Sequence, residues 1–464
     1  MPDLDLNDIQ GLILRGYRRM GHARHLLLKI EDRAAFRCVL RDLSTEERDH
    51  DERYGGPFVT VAEDWRTKPP EDEDPTHCIN IGLTYGGLRQ LGLSEESLQS
   101  FPPEFREGAV ARAAEVGDTG ANAPEHWIDP LNAARHEDVH VVLSLYALDA
   151  DSLEDVDREV RPRVERDGAA VVLEAIDAAA LYEDEEHAGY VHFGYRDGLS
   201  QPTIDGLQAA GPDDPAPVPA GAFVLGQPSQ WTMYAYPVPQ PAQLGENGSF
   251  AAFRIARQDV VAFEQFLTDE SDGSPAGREL VAARLCGRWR NGVALVTSPD
   301  SDAPPDPQDG LNAFDYATVH GDPAGQRCPL GSHIRRANPR GQPIMGGGGT
   351  KHRIIRRGLP YGSRFDPDRP DDEERGLVGL FICVSLRDQF EFIMHEWLND
   401  GGFAAGLGRS RDPLAGQDER AAAAFNAPGT PPFEVNGLPS FVTTRGAAYV
   451  FLPSMNALRY LAAL

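Results

Sequence analysis

The chain has 464 residues, of which 41% are hydrophobic and 25% charged, a composition typical of a globular protein with one or two domains. Its 72 acidic and 44 basic residues give a net charge of −28, which argues against binding to nucleic acid or anionic membranes. No apolar run approaches the roughly 20 residues needed to cross a bilayer, and the opening MPDLDLNDIQGLILRG is neither a secretory nor a twin-arginine signal. We therefore expect a cytoplasmic protein with no membrane partner.

The five cysteines are widely spaced and form no CxxC pair. Because their number is odd, no disulfide scheme within the chain pairs them all, and free thiols in a reducing compartment are the simpler interpretation. They are Cys38, Cys78, Cys286, Cys328 and Cys383.

A strand followed by a helix is predicted twice with the same spacing. His25–Ile30 (HLLLKI) is a short apolar run typical of a buried strand, and apolar residues at helical spacing follow behind an acidic cap, Asp32. Much later, Phe250–Ile255 (FAAFRI) precedes the same pattern behind Asp259. The recurrence indicates that the two halves of the chain share a fold.

Further segments extend this repeat. Each half contains an apolar strand that runs into a helical stretch, and each half also has a late strand. We pair Cys78–Leu83 and Leu88–Leu91 with Gly376–Leu386 and Phe390–Trp397, and the late strand Val139–Ala147 with Ala447–Leu452. Repeated units of this kind predict two copies of an α+β sandwich with antiparallel sheets.

Segments rich in proline and charge divide these elements. Gln208–Pro219 (QAAGPDDPAPVP) is the predicted join, which gives an N-terminal domain of residues 1–210 and a C-terminal domain of residues 211–464. Three other segments without periodicity are predicted to be surface loops. They are Glu46–Pro70, Asp300–Asp309 and Pro367–Glu374.

His333 lies in the segment CPLGSHIRRANPR, with small residues before it and three arginines after it. A neutral imidazole can be an axial ligand of haem iron, and small neighbours let a planar group approach closely. Guanidinium groups pair with carboxylates such as haem propionates. The alternative is a loop histidine whose arginines interact with the acidic surface.

Asp197 lies in FGYRDGLSQP, after a short apolar stretch. Glycines on both sides permit a tight backbone path, so the carboxylate can face a flat ligand. In that position it can act as a general acid–base. The alternative is an Asx turn at the end of a strand.

Two adjacent arginines stand in KHRIIRRGLPYG. Alternation along a strand places Ile354 on one face with Arg356, and Arg353, Ile355 and Arg357 on the other. One arginine of the adjacent pair can therefore point inward, where it would stabilise negative charge, while the other reaches solvent. The alternative is a basic edge strand.

Together these segments resemble the dye-decolorising (DyP-type) haem peroxidase family. Its GxxDG motif is present as Gly194–Gly198 (GYRDG), its proximal histidine motif as His333–Arg340 (HIRRANPR), and its distal arginine segment as RIIRRGLPYG, in the family's order. The resemblance covers nearly the whole chain and points to the larger class shared by fungi and bacteria. It implies a duplicated ferredoxin-like sandwich of the dimeric α+β barrel type. The N-terminal domain then carries GxxDG, and the C-terminal domain binds most of the haem.

The resemblance also implies roles for single residues. His333 would be the proximal iron ligand, Asp197 the distal acid–base, and Arg356 the distal arginine, with Arg357 as its alternative. Gly358 stands where smaller bacterial members often have Asn. The other implied residues are Gly198, Leu199 and Ser200 on the distal haem face, Asn338, Pro339 and Arg340 near the propionates, and Asp412 behind His333, with Glu434 as its alternative.

The implied activity is reduction of hydrogen peroxide by one haem b per chain, with oxidation of bulky aromatic donors such as dyes and phenolics. Donors too large to reach the haem would react at a surface Tyr or Trp, for which Trp231 and Trp397 are candidates. Oxidation of Mn(II) would need surface carboxylates, for which Glu264 and Glu279 are candidates if their helices pack side by side. The alternatives are a haem carrier or iron-release protein with little turnover, and a haem-free interaction protein. The sequence leaves open whether the protein is a monomer or a homo-oligomer.

Overall fold

A computed structural model describes most of the chain. The described residues are 4–14, 16–17, 19–45, 58–65, 76–182, 184, 186–207, 216–231, 235–303, 311–317, 321–342, 344, 349–404, 407–419, 422–428 and 432–464. Among them, no helix combines the length and the apolar character needed to cross a membrane. The predicted join falls largely outside these ranges, so the domain division at residue 210 stays a prediction.

Ten strands are present in the described ranges. They are β1 (His22–Ile30), β2 (His77–Leu83), β3 (Val141–Ala147), β4 (Ala170–Ala179), β5 (Ser249–Gln258), β6 (Ile355–Tyr361), β7 (Gly376–Cys383), β8 (Ala424–Ala427), β9 (Phe433–Asn436) and β10 (Val442–Leu452). Eight of them form one sheet in the order β4-β1-β3-β2-β10-β5-β7-β6, and β8 pairs with β9 in a separate hairpin. All of these pairings are antiparallel.

Helices connect the strands. The α-helices are α1 (Gly11–Leu14), α2 (Arg33–Ser44), α3 (Tyr85–Gln90), α4 (Glu95–Gln99), α5 (Pro103–Ala111), α6 (Ala150–Glu165), α7 (Ala242–Gly245), α8 (Val260–Asp269), α9 (Pro275–Cys286), α10 (His333–Ala337) and α11 (Met455–Ala463). Two π-helical segments, Leu386–Glu391 and Ile393–Leu398, follow β7. Short 3₁₀ turns lie at Glu63–Trp65, Ala113–Val116, Gly120–Asn122, Pro124–His126, His136–Asp138, Arg166–Gly168, Ala220–Ala222, Gly349–His352 and Gly401–Phe403.

The sheet is built from two equivalent halves. The order β4-β1-β3-β2 is repeated by β10-β5-β7-β6, and the halves join where Phe451 of β10 pairs with Leu83 of β2. The edge strands β4 and β6 come within 8 Å of each other between Cα atoms, so the sheet curls toward a barrel. The predicted duplicated α+β fold with antiparallel sheets is therefore confirmed.

The first predicted repeat is confirmed in its local detail. Asp32 caps α2 by accepting the N–H of Ala35 at 2.9 Å, and Asp259 caps α8 by accepting the N–H of Ala262 at 3.0 Å. An N-cap of this type satisfies one of the free backbone donors at a helix start. Strands β1 and β5 occupy the same position in the two half-sheets.

The second predicted repeat is wrong in its pairing. In the sheet order, β7 is equivalent to β3 and β10 is equivalent to β4. The sequence instead predicts that β7 corresponds to β2 and β10 to β3. The predicted strand Gly376–Leu386 also ends early, at Cys383, because Ser385 caps the first π-helical segment by accepting the N–H of Asp388 with its side chain. The predicted surface loop Pro367–Glu374 is exposed along its length.

Alternating side chains divide the core into two layers. On β10, Tyr449 and Phe451 pack toward the outer helices, whereas Ala448 and Val450 face the barrel interior. Helices α2 and α11 contact each other on the outer layer. Because a strand places successive side chains on opposite faces, one sheet can bury both layers and leave its ends to carry loops.

Candidate active site

His333 and Asp412 form a pair at the start of α10. The Nδ1 atom of His333 lies 3.1 and 3.2 Å from the two carboxylate oxygens of Asp412. The Asp412 side chain has no exposed surface, and its Oδ1 also accepts the N–H groups of Leu414 and Ala415 at 2.9 and 2.8 Å. Burial opposes ionisation of the Asp412 carboxyl. The charge of His333 and the hydrogen bond with His333 act in the other direction, and the pKa of Asp412 is lowered.

This pairing fixes which histidine nitrogen faces away from Asp412. With a carboxylate at Nδ1, that nitrogen donates its proton, and the lone pair remains on Nε2. In the described part of the chain Nε2 has no hydrogen-bond partner, and the side chain is 24% exposed. The structure thus brings Asp412 to His333, whereas the alternative, Glu434, is exposed on β9.

Asp197 forms a second pair, with Arg356. Its Oδ1 accepts a hydrogen bond from Nη2 of Arg356 at 3.0 Å. Gly194 and Gly198 adopt φ values of +78° and +79°, which glycine tolerates and which give the tight backbone path that the sequence predicts. The Asp197 N–H donates to the carbonyl of Gly189 at 2.8 Å, which holds the loop.

The Asp197 carboxylate is partly open to solvent. Its side chain is 49% exposed, yet enough protein surrounds it that burial opposes its ionisation. The charge of Arg356, the N–H of Gly198 and the charge of His333 outweigh that effect and lower its pKa. His333 and Asp197 are therefore close enough to belong to one electrostatic site.

Gln201 distinguishes the two adjacent arginines. Its side-chain amide accepts the backbone N–H of Arg356 and donates to the Arg356 carbonyl, both at 3.1 Å, and so ties the Asp197 loop to β6. Arg357 points elsewhere, because its Nε donates to the carbonyl of Leu12 at 2.9 Å. The sequence predicts that the second arginine of the pair reaches solvent. Arg357 instead packs against the N-terminal segment. No sequence pattern distinguishes Gln201.

Three further arginines gather beside the Asp197 loop. Arg340 donates to Ser200 Oγ at 2.9 Å, Arg353 donates to the Ser200 carbonyl at 3.4 Å, and Arg288 donates to the carbonyl of Leu311 at 2.6 Å. Burial lowers the pKa of Arg340 to about 9 and that of Arg353 to about 10. Across the ranges that the structure describes, none of the three forms an ion pair with an acidic residue.

This cluster corrects one expectation and adds residues to the site. Arg353 was predicted to face away from Arg356, but β6 begins only at Ile355, so strand alternation does not apply to it. Arg288 was not predicted, because a single arginine after a helix forms no motif. Of the other implied residues, Gly198 has open space beside its Cα, Leu199 packs on Gly292, Pro339 is buried, and Asn338 Nδ2 is buried without a hydrogen-bond partner.

The two carboxylates predicted to bind Mn(II) do lie close together, but they surround an arginine side chain of the protein. Helices α8 and α9 contact each other. Arg290 lies between them, 2.6 Å from Glu264 and 3.5 Å from Glu279. No group of three or more metal-ligating side chains occurs among the residues described. Mn(II) as a substrate stays a prediction.

The two candidate tryptophans are linked by a histidine. Trp397 is buried, and its ring centroid is 5.3 Å from that of His352. Trp231 is half-buried, 6.0 Å from His352, and carries Lys351 Nζ 4.4 Å above its ring. The Asp412 N–H donates to the carbonyl of Leu398, directly after Trp397, at 2.6 Å. The aromatic series therefore ends beside the His333–Asp412 pair.

Comparisons with known proteins agree with this fold. Residues 8–172 match a family model described as the DyP dimeric alpha+beta barrel domain. Peroxidase 2 of Mycetinis scorodonius is 28% identical over 98% of this chain and 87% of its own length. The multifunctional dye peroxidase DyP2 of Amycolatopsis is 29% identical over 83% of this chain and 82% of its own.

Solved structures give the same result. A fungal DyP-type peroxidase from Auricularia auricula-judae superposes with a TM-score of 0.82 at 25% identity, covering 100% of both chains. A dye-decolorizing peroxidase in complex with 2,6-dimethoxyphenol has a TM-score of 0.81 at 25% identity, covering 99% of this chain and 100% of the other. The fold and site thus define a peroxidase, an oxidoreductase that acts on peroxide. The chain is similar to DyP-type peroxidases over nearly its whole length, and these similarities support a place in that family.

Similarity to this family implies a haem cofactor, and the residues present are suited to one. His333 offers the Nε2 lone pair that an axial ligand needs. Arg288 is buried and Arg340 and Arg353 are half-buried, and none of them pairs with an acidic side chain among the described residues. Such unpaired positive charge suits the two propionates of a haem. The orphaned Nδ2 of Asn338 is a further donor in the same region.

Proposed function

We propose that this chain reduces hydrogen peroxide at a haem iron held by His333, with Asp197 transferring protons and Arg356 stabilising charge. The observation that supports it best is the arrangement of two carboxylates in one site. Asp412 pairs with the histidine, and Asp197 pairs with an arginine within the electrostatic reach of that histidine. In peroxide chemistry the first pair would orient the iron ligand, and the second would transfer protons and stabilise charge.

On the proximal side, Asp412 would keep the proton of His333 on Nδ1 and make the imidazole a stronger donor at Nε2. A histidine ligand backed by a carboxylate gains anionic character, which favours oxidised iron. Bound haem supplies the iron that accepts the oxidising equivalents of peroxide. Arg288, Arg340 and Arg353 would bind its propionates, and Ser200 would orient Arg340 and Arg353 through the contacts described above.

On the distal side, Asp197 would carry the proton. As a carboxylate, it would accept a proton from one peroxide oxygen and deliver it to the other, which would leave as water when the O–O bond breaks. The two electrons that this cleavage consumes would come from the bound haem. Arg356 stabilises negative charge that develops on the departing oxygen. It also lowers the pKa of Asp197, which keeps the base ionised in mildly acidic solution.

Dyes and phenolics are the donors that we propose, as the names of the relatives suggest for those proteins. Small phenols would approach the exposed side of Asp197. A bulky dye would instead pass its electron through Trp231, His352 and Trp397, whose contacts lead to the His333–Asp412 pair. Trp231→Phe should slow oxidation of a large dye several-fold more than that of 2,6-dimethoxyphenol, and equal effects on both donors would contradict this route.

An absorption spectrum of the purified protein tests the main proposal. Haem supplementation should give a Soret band, and one equivalent of peroxide should shift it, with recovery when a phenolic donor is added. Absence of a Soret band would refute the proposal. A Soret band that peroxide leaves unchanged would favour the haem-carrier alternative, for which Asp197 and Arg356 have no use.

A further inference from the structure

The loop that carries Asp197 rests on one arginine from a different part of the chain. The backbone N–H of Arg196 donates to the carbonyl of Arg290 at 2.9 Å. A Cβ atom on Gly194 would lie 3.0 Å from Arg290 Cδ, so the loop backbone lies directly on the arginine side chain. The loop therefore contacts both the main chain and the side chain of Arg290, on the N-terminal side of Asp197.

Neighbouring contacts continue this support on both sides of Asp197. The Tyr195 hydroxyl donates to the carbonyl of Ala282 in α9 at 2.7 Å. Leu199 lies so close to Gly292 that a Cβ atom at Gly292 would have no room. The end of α9 and the turn that follows it thus contact the loop from Gly194 to Leu199.

The guanidinium of Arg290 is itself held by two helices. Its Nη2 is 2.6 Å from Glu264 of α8, and its Nη1 is 3.5 Å from Glu279 of α9. Its side chain is 20% exposed. Burial alone would lower the pKa of Arg290, but the two carboxylates outweigh burial and raise it, so the cation stays charged. These ion pairs fix the side chain on which the loop lies.

We propose that Arg290, fixed by Glu264 and Glu279, is a positioning residue that holds Asp197 at the distance from Arg356 and peroxide that proton transfer requires. This inference rests on the acid–base role proposed for Asp197. It also gives the two carboxylates a purpose other than binding Mn(II). A displacement of about 1 Å in a catalytic group can cost up to about a hundredfold in rate, so loss of this support should slow the peroxide reaction.

The first test measures the loop itself. Glu264→Gln removes the closer carboxylate without changing its shape, and amide hydrogen exchange of residues 189–199 is followed in the haem-loaded protein. We expect loss of protection in this segment. Glu154→Gln is the matched control, because Glu154 is one of three carboxylates around Arg24, away from the loop. Unchanged protection in Glu264→Gln would overturn the proposal.

The second test measures chemistry. The second-order rate constant for peroxide should fall about 10- to 100-fold in Glu264→Gln, partly recover in Glu264→Asp, and stay unchanged in Glu154→Gln. If Glu264→Gln does not fold, Glu279→Gln decides, with a smaller effect in the same direction. If Asp197→Asn reacts slowly with peroxide while Glu264→Gln reacts at the parent rate despite loss of protection in the loop, the positioning role is refuted and the proposed function is not. A fast Asp197→Asn variant would instead refute the proposed function.

Discussion

The two carboxylate pairs of the site have similar geometry and opposite surroundings. Asp412 lies 3.1 Å from His333 and has no exposed side-chain surface, whereas Asp197 lies 3.0 Å from Arg356 and is 49% exposed. Water cannot compete for a buried pair, so it keeps one arrangement of protons. An exposed pair can exchange protons with a substrate. Burial, rather than residue type, thus suits one aspartate to orient a ligand and the other to carry protons.

The largest effect is expected from breaking the proximal pair at the histidine. His333→Ala should abolish stoichiometric haem retention, because no other described imidazole combines a buried carboxylate at one nitrogen with a free second nitrogen in this site. Haem content after gel filtration, from the Soret absorbance per chain, measures it. The control is His395→Ala, which removes a histidine that lies 3.0 Å from a carboxylate, Glu396, in a pair whose two side chains are each 49% exposed. Full haem retention by His333→Ala would remove the proposed ligand.

Breaking the distal pair at the carboxylate should spare haem and slow chemistry. Asp197→Asn keeps the size of the side chain but cannot accept a proton, so the rate constant for peroxide should fall about 10²- to 10⁴-fold. Stopped-flow absorbance at the Soret band measures this rate. Asp205→Asn, an exposed aspartate a few residues along the chain, is the control and should react normally. Equal rates in the two variants would leave Asp197 without an acid–base role.

Breaking the distal pair at the arginine should change the pH dependence as well as the rate. Arg356 lowers the pKa of Asp197, so the carboxylate stays ionised to lower pH than an ordinary aspartate. Arg356→Leu should therefore raise that pKa and move the acid limb of the peroxide rate profile to higher pH, with an overall loss of about 10²- to 10³-fold. Arg357→Leu, at the adjacent position, should leave the limb where it is. A reversed result would assign the distal role to Arg357.

A feature can be predicted from the sequence more easily when the residues that determine it lie close together along the chain. The helix caps Asp32 and Asp259 were predicted correctly because a cap involves only residues three apart. The strand repeat was mispaired because Gly376–Cys383, His77–Leu83 and Val141–Ala147 are all short and mainly apolar, and only the long-range order of the sheet distinguishes them. Local patterns identify strands, whereas topology identifies which strand corresponds to which.

The site shows the same division. His333, Asp197 and Arg356 stood out because each lies in a motif of the resembled family. Arg288 and Gln201 did not, since each acts through a contact with a distant segment: Gln201 binds the backbone of a residue 155 positions away. The proximal carboxylate was intermediate, because several acidic residues were available and only the fold brings Asp412 to His333. Residues that support a motif from far along the chain need the structure.

The smallest effect is expected from weakening the buried pair while keeping its shape. Asp412→Asn removes the charge that His333 and two backbone N–H groups stabilise, and should cost about 2 kcal/mol of unfolding free energy at pH 7. The folded-state pKa of Asp412 is lowered, so its stabilisation is full above the ordinary aspartate pKa and is lost as pH falls through the lowered value. The difference between variant and parent should therefore stay constant from pH 7 to about pH 5 and shrink below about pH 4.

Urea unfolding of the haem-loaded proteins, followed by the Soret band and by circular dichroism, measures this difference. Asp184→Asn is the control, because Asp184 contacts His187 at 2.7 Å but is 56% exposed, and exposed pairs contribute little. If Asp412→Asn loses as little unfolding free energy as Asp184→Asn, burial does not make a carboxylate pair more stabilising than an exposed one. A loss that persists unchanged in acid would mean that the pair is stabilised by shape and not by charge.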